Sequence, residues 1–296
     1  MSVPYLGEAL SFIAAVFWAF ALVLFRRSGE KVHPIALNLF KDVLALVLYV
    51  PTIYIAGETL FHPAPTSHYV LLLASGAIGI AIGDSLLFWS LNLLGAGGYA
   101  LVSSLYSPFV ILLSYLFLSE QLSLLQTGGV LLIVVSVFEA TRKGGHEATS
   151  RKRQLIGALL GVSGVLSMAV GIVMIKPVLD TAPLFWAVEI RLVGGVAALL
   201  IILALHPARR RIVSSLFVRS HRGVTVGSSL LGGYIAMACW MGGMKLTQAS
   251  IASALNQTYI VFTLIFAAVI LGERITKLRV LAILTALAGA TMVTFG

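Results

Sequence analysis

The chain alternates long apolar runs with short polar breaks, and the length of those runs leaves few folds open. Ten mostly apolar stretches can be marked, at approximately 7–25, 35–56, 69–94, 98–119, 124–141, 154–175, 183–205, 223–244, 250–271 and 277–295. A helix crosses the hydrocarbon core of a bilayer with about 20 such residues, so each stretch predicts one spanning helix. Only 10% of the 296 residues are charged and 59% are hydrophobic, against roughly 25% charged in a soluble domain. The breaks are too short to hold a soluble domain. The expected fold is an all-α membrane protein with ten transmembrane helices. The first stretch lacks a basic region before it and a small-residue cleavage site after it, so it reads as a retained helix.

Several function classes drop out. Cys239 is the single cysteine, which excludes an internal disulfide and most metal-cluster chemistry. The six histidines fall in loops or at stretch ends, so neither a metal nor another cofactor is expected. The net charge of +9 comes mostly from loops that flank the membrane, the ordinary bias of topology, and nucleic acid is not an expected partner. Loops 1–2, 5–6, 7–8 and 9–10 hold 3, 5, 5 and 3 Lys or Arg residues, while the opposite side holds only Lys176 and Lys245. The positive-inside rule then places the basic loops in the cytoplasm and both termini outside.

The most polar interruption, "TRKGGHEATSRKRQ" (141–154), divides the stretches five and five. It separates a first repeat (1–142) from a second (154–296), with a basic linker at 143–153 between them. At an offset of 153, "NLLGAGGYALVSSLYSPFVILLSYLFLSEQLS" (92–123) lies over "KLTQASIASALNQTYIVFTLIFAAVILGERIT" (245–276). Ala96 meets Ala249, Tyr106 meets Tyr259 and Glu120 meets Glu273. Five is odd, so the two copies enter the bilayer in opposite senses. Inverted repeats of this kind are typical of secondary transporters, whose substrate site lies near the midplane between them.

The duplicated "LSEQLS" and "LGERIT" endings, and a Pro-led second helix with a cation in each half (Lys41, Arg191), carry a resemblance. The chain resembles the ten-helix EamA-type branch of the drug/metabolite transporter superfamily. That resemblance implies a basket in which stretches 1, 3, 4, 6, 8 and 9 surround a central path. It further implies export or exchange of amino acids, phosphorylated or nucleotide-linked sugars, or drugs. One departure is the loop "AGETLFHPAPTSH" (56–68), which has no Lys or Arg where similar proteins commonly place them.

Candidate substrate-binding residues follow from polarity and aromaticity at membrane depth. Ala100, Ser103, Ser104 and Ser107 share one helical face, and Ser253, Asn256, Gln257 and Ile260 share the equivalent face of the second repeat. Two such stripes line a wet path or glue helices by hydrogen bonds. Tyr106 and Tyr259 are mid-helix rather than at the headgroup belts; Trp18, Phe88, Trp89, Tyr234 and Trp240 add aromatic surface. The small-residue spacings "GIAIG" (79–83) and "GVTVG" (223–227) suit close helix packing.

Lys41, Asp42, Asp84, Glu189 and Arg191 are the intramembrane charges. Such residues usually face the interior and pair, so they are candidates for ion pairs or coupling. Lys41 and Arg191 are either ligands for a carboxylate or phosphate, or partners of Asp84 and Glu189. Adjacent Lys41 and Asp42 project about 100° apart and need not pair. Asp84 interrupts a stretch otherwise uncharged from Leu71 to Leu94. It is either paired and ionised, or unpaired in a cavity and able to carry a proton. Glu120 and Glu273, at helix ends, suit structural roles.

The expected function is a secondary transporter of the inner membrane that exports a small metabolite by alternating access. An amino acid, aromatic ones included, is the best expectation from the resemblance; an exchanger of phosphorylated or nucleotide-linked sugars is the alternative. The expected partners are a small-molecule substrate and the lipid bilayer, with the chain a monomer or weak homodimer. A scaffold subunit or an intramembrane enzyme is the reading from another class. An enzyme would need a nucleophile and a base converging at depth, and no histidine lies there.

Overall fold

The computed structural model of the chain describes residues 5–118, 123–129, 131–132, 135, 151–217, 221–273 and 277–295. Every regular element among them is helical. α1 (Leu6–Ser28) and α2 (Pro34–Ile55) are joined by a tight connection. His33 caps α2, its Nδ1 accepting the Ile35 amide at 3.3 Å, and Pro34 takes the first helical position, where a missing N–H costs nothing.

The third and fourth apolar stretches run on from one another as α3 (Thr66–Ser75), a π-helical segment π1 (Gly76–Asp84) and α4 (Ser85–Ser103). Together they hold 38 residues; as one straight helix this would reach about 57 Å, far beyond a bilayer core of about 30 Å. Gly95 breaks it, at φ 77° and ψ 173°. That backbone is open to glycine; the limb before it matches the third expected stretch, and the short limb after it, 96–103, opens the fourth. The chain then turns at Ser104–Leu105 before α5 (Tyr106–Leu118). Pro108 has no N–H to offer the Ser104 carbonyl four residues back. Gln257 Nε2 supplies the donor instead, at 2.8 Å.

The second repeat follows the same course. α6 (Arg151–Thr181), α7 (Leu184–Leu205) and the short α8 (Arg209–Ser214) lead to α9 (Arg222–Ser229), a second π-helical segment π2 (Leu230–Ala236) and α10 (Met237–Leu246). α11 (Ala249–Asn256), α12 (Tyr259–Leu271) and α13 (Lys277–Phe295) complete it. The turn at Gln257–Thr258 recurs at the repeat offset of 153 from Ser104–Leu105, and π2 falls where that offset places π1. Six helices among the described residues are long and apolar enough to span a membrane, with shorter apolar helices at Tyr106–Phe117 and Tyr259–Leu271. The chain is a multi-pass membrane protein. Glu120 and half of the expected stretch at 124–141 lie outside the described residues; the described part, 124–129, 131–132 and 135, is helical.

Small residues let the central helices touch. A Cβ on Gly171 would lie 3.0 Å from Gly79 Cα, and one on Gly164 would lie 2.9 Å from the Gly83 carbonyl oxygen. The "GIAIG" surface therefore packs against α6. "GVTVG" does not repeat the theme: a Cβ on Gly223 or Gly227 would meet nothing within 4 Å. Those glycines open α9, near its loop, where no helix presses on them.

The two lysines of the charge-poor side act as helix-end partners. Lys176 Nζ donates to Met244 O at 2.8 Å and contacts Asp180 at 2.5 Å; Lys245 Nζ donates to Leu179 O at 2.9 Å and to Ala182 O. Each satisfies a carbonyl at the other's helix end, a favourable place for a cation.

Candidate substrate-binding site

A cavity of about 90 Å³ lies between elements of both halves, lined by residues of α1, π1, α4, α5, α6, α7, π2, α10, α11 and α12. By the scale on which a single water needs about 10–15 Å³, it has room for several. Trp18 of α1, Tyr99 and Tyr106 of the first half, and Trp240 and Tyr259 of the second form its aromatic wall. Tyr106 and Trp240 meet edge-to-face with centroids 5.9 Å apart. Asp84, Ser103, Arg191 and Asn256 supply the polar atoms.

Seven of the ten expected binding residues line this cavity: Trp18, Asp84, Ser103, Tyr106, Arg191, Asn256 and Tyr259. Ser104, Tyr234 and Gln257 are placed otherwise. Gln257 Nε2 donates to Ser104 O, joining the two broken helices, and Ser104 Oγ turns back to Leu101 O at 2.7 Å. Tyr234 points toward α2, its hydroxyl 2.6 Å from Thr52 Oγ1, while its backbone oxygen accepts from Tyr49 OH at 2.7 Å. Ser107 and Ser253 meet each other at 3.4 Å. Much of the two polar stripes is thus spent on joining α4–α5 to α11–α12.

The observed face of the fourth stretch is Tyr99, Ser103 and Tyr106 rather than Ala100, Ser103, Ser104 and Ser107. Both sets have the spacing of one helical face; Ser104 and Ser107 are engaged in the contacts between the broken helices instead. Tyr99 was legible as a candidate, since it stands two turns before Tyr106. Met237, also in the lining, is the residue that the repeat offset sets against Asp84. Tyr259 OH donates to Ser103 Oγ across the two halves.

Asp84, at the end of π1, has its partner in Lys41. The ammonium of Lys41 binds Asp84 Oδ2 and also lies 3.0 Å from Asp42 Oδ1, the neighbour with which its helical position did not require it to pair. The long flexible stem of lysine lets the head return to a carboxylate that the helical wheel points elsewhere. The angle at Asp42 is not that of a hydrogen bond, so this contact is electrostatic. Lys41 is 1% exposed and Asp42 0%, and neither belongs to the cavity lining. Lys41 Nζ also stands 5.9 Å from the Phe88 ring centre.

Arg191 behaves differently from its counterpart. It is 6% exposed, lines the cavity, and forms no ion pair with a described carboxylate; pairing with Asp84 or Glu189, one of the expectations, does not occur. Its Nη1 meets only Met241 Sδ at 3.4 Å, and its Nε has no acceptor among the described residues. Glu189, 4% exposed, lies outside the lining, and its Oε2 accepts no hydrogen bond from a described residue.

Comparisons with known proteins agree with this architecture. The model of the EamA-like transporter family matches twice, over residues 5–141 and 155–295. An uncharacterized transporter of Archaeoglobus fulgidus is 26% identical over 270 residues, 90% of each chain. A protein solved as a crystal structure superposes with a TM-score of 0.74 at 19% identity, covering 97% of this chain and 96% of that one, which speaks to the fold.

Proposed function

The chain belongs to the EamA-like transporter family, and from that premise we propose that it is a secondary carrier exporting a small metabolite, an amino acid, by alternating access. The observation that carries this reading is the cavity between the two halves, walled by Trp18, Tyr99, Tyr106, Trp240 and Tyr259 and carrying a few polar groups. Aromatic walls with sparse, fixed polar atoms describe a site for a small, partly apolar solute. The broken helices at Ser104–Leu105 and Gln257–Thr258 support it, because carriers commonly build their sites at such interruptions. Inverted repeats in the bilayer are part of the same proposal, as are aromatic amino acids among the substrates.

A second reading, exchange of phosphorylated or nucleotide-linked sugars, draws on one observation: a buried cation, Arg191, at the cavity wall. Uptake and efflux of a labelled panel of amino acids and sugar phosphates in proteoliposomes separates the two. Flux of an amino acid supports the first; flux of sugar phosphate alone supports the second. The absence of any flux would favour a scaffold subunit, and chemical conversion of a solute would favour an enzyme.

The proposed setting is the inner membrane, with the basic loops in the cytoplasm and the termini outside. Reporters active in one compartment, fused to either end, test this. Cytoplasmic activity at both ends would reverse the orientation.

A further inference from the structure

We propose that Arg191 receives the carboxylate of an α-amino acid zwitterion, that Asp84 faces its ammonium group, and that Lys41 and Asp42 hold Asp84 without touching substrate. This rests on the amino-acid reading above and assigns the recognition that the reading leaves open.

The two membrane cations are not equivalent. Lys41 is occupied by Asp84 and Asp42 and lies outside the cavity lining. Arg191 is in the lining; among the described residues its hydrogen-bond partner is a thioether sulfur, and its Nε has no acceptor. A buried guanidinium left this way is costly, and its planar fork of donors matches a carboxylate in two places. Gly79 leaves room for the fork: a Cβ there would stand 3.0 Å from Arg191 Nη2. The position beside Arg191 is thus shaped for the head rather than for another side chain.

Charge balance selects the rest of the ligand. Lys41 and Arg191 offset Asp42 and Asp84 when these four are ionised; Asp84 lines the same cavity as Arg191, while the fifth intramembrane charge, Glu189, stands outside the lining. A zwitterion adds no net charge to this set and presents one group of each sign. A phosphate monoester brings a charge of about −2 at neutral pH to a cavity whose described lining offers one cation, Arg191, and leaves excess charge buried, which is expensive. An amino acid amide, cationic, leaves Arg191 unpaired.

The test uses the purified full chain in lipid nanodiscs, with the fluorescence of Trp18 and Trp240 reporting binding. Each of the common amino acids is titrated beside its amide, its N-acetyl derivative and glucose 6-phosphate. At least one amino acid should bind about tenfold or more tightly than both derivatives. Arg191→Gln should abolish the preference over the amide, and Asp84→Asn the preference over the N-acetyl form. A structural role would weaken all ligands together and leave these ratios unmoved. If Arg191→Gln fails to fold, Arg191→Lys, which keeps the charge and loses the fork, should weaken the acid while retaining its preference over the amide. Amino acids that bind no better than their amides, or a preference that survives Arg191→Gln, would overturn the assignment and leave the amino-acid reading standing. Binding of glucose 6-phosphate in place of amino acids, or of none of the probes, would overturn both.

Discussion

Glu273 closes the start of the helical limb that begins at Ala96. Its carboxylate accepts the Ala96 amide at 3.0 Å and the Gly97 amide at 3.1 Å, reaching from the end of α12 to the far side of the Gly95 kink. Free amides and the positive end of a helix are where a carboxylate is most useful. Charge-assisted bonds of this kind contribute about 1.5–3 kcal/mol each. Glu273→Ala should therefore lower the melting temperature in detergent substantially, with Glu273→Gln intermediate because one acceptor oxygen remains. Equal melting of all three proteins would show that the cap carries no stability. Gly95→Ala should also destabilise, since its φ of 77° is strained for alanine and the added methyl would stand 3.0 Å from Glu273 Oε1.

Lys41 has two carboxylates and Asp84 has one ammonium, so the two ends of that pair respond differently to mutation. Asp84→Asn leaves Lys41 compensated by Asp42, and the protein should reach the membrane at near wild-type level while losing transport. Lys41→Met strands Asp42 in the interior and leaves Asp84 at the cavity wall without its ammonium, at about 3–5 kcal/mol for a broken buried pair. It should accumulate poorly, and Asp84→Asn in the same chain should restore part of the loss. Expression in membranes and melting temperature read both effects. Full flux through Asp84→Asn would remove Asp84 from the transport step.

What the sequence discloses here depends on which force sets each feature. The apolar stretches and the repeat are legible because bilayer thickness imposes one length on every span. That Asp84 needs a partner, a proton or a wet cavity, with Lys41 and Arg191 the candidate partners, is legible from the cost of a lone charge. The end-capping role of Glu273 follows from its place after the last apolar turn. The helix it caps does not, because Ala96 is remote in sequence. Periodicity does not choose the cavity-facing side of the fourth stretch, because Tyr99, Ser103 and Tyr106 and the set Ala100, Ser103, Ser104 and Ser107 are both spaced for one helical face. The π segments leave no mark that hydrophobic spacing could reveal.

His33 gives the chain a pH dependence near the proposed cytoplasmic end. Burial, and then the neighbouring His206, hold its pKa below the ordinary 6.5. Its Nδ1 must stay unprotonated to cap α2. The unfolded chain therefore takes up the proton first, and stability present above about pH 6.5 declines as the pH falls through that value toward the lower folded pKa. His33→Asn keeps a capping side chain and removes the titration. Its melting temperature should change less than that of wild type between pH 7.5 and 5.5, a range chosen to bracket the histidine pKa of about 6.5. Parallel curves would show that His33 does not set the acid sensitivity.

Both π segments are held by a side chain from α2. Asn38 Nδ2 donates to Ile80 O at 2.9 Å within π1, and Tyr49 OH donates to Tyr234 O at 2.7 Å within π2. Both segments also contribute to the cavity wall, through Gly79 and Asp84 on one side and Gly232 and Ala236 on the other. A wide helical turn exposes carbonyls that an α-helix would cover, so removing either donor should loosen its own segment. The loss of each bond is worth on the order of 1 kcal/mol, more if the carbonyl is left unsatisfied. Asn38→Leu should raise amide hydrogen exchange around 76–85 and leave 230–237 unchanged; Tyr49→Phe, which keeps the edge-on ring contact with Tyr234 at 4.9 Å, should do the reverse. Exchange that rises equally in both segments, or in neither, would show that α2 does not hold them individually. A local rise accompanied by slower transport would identify these two turns as the part of the wall whose geometry the transport cycle depends on.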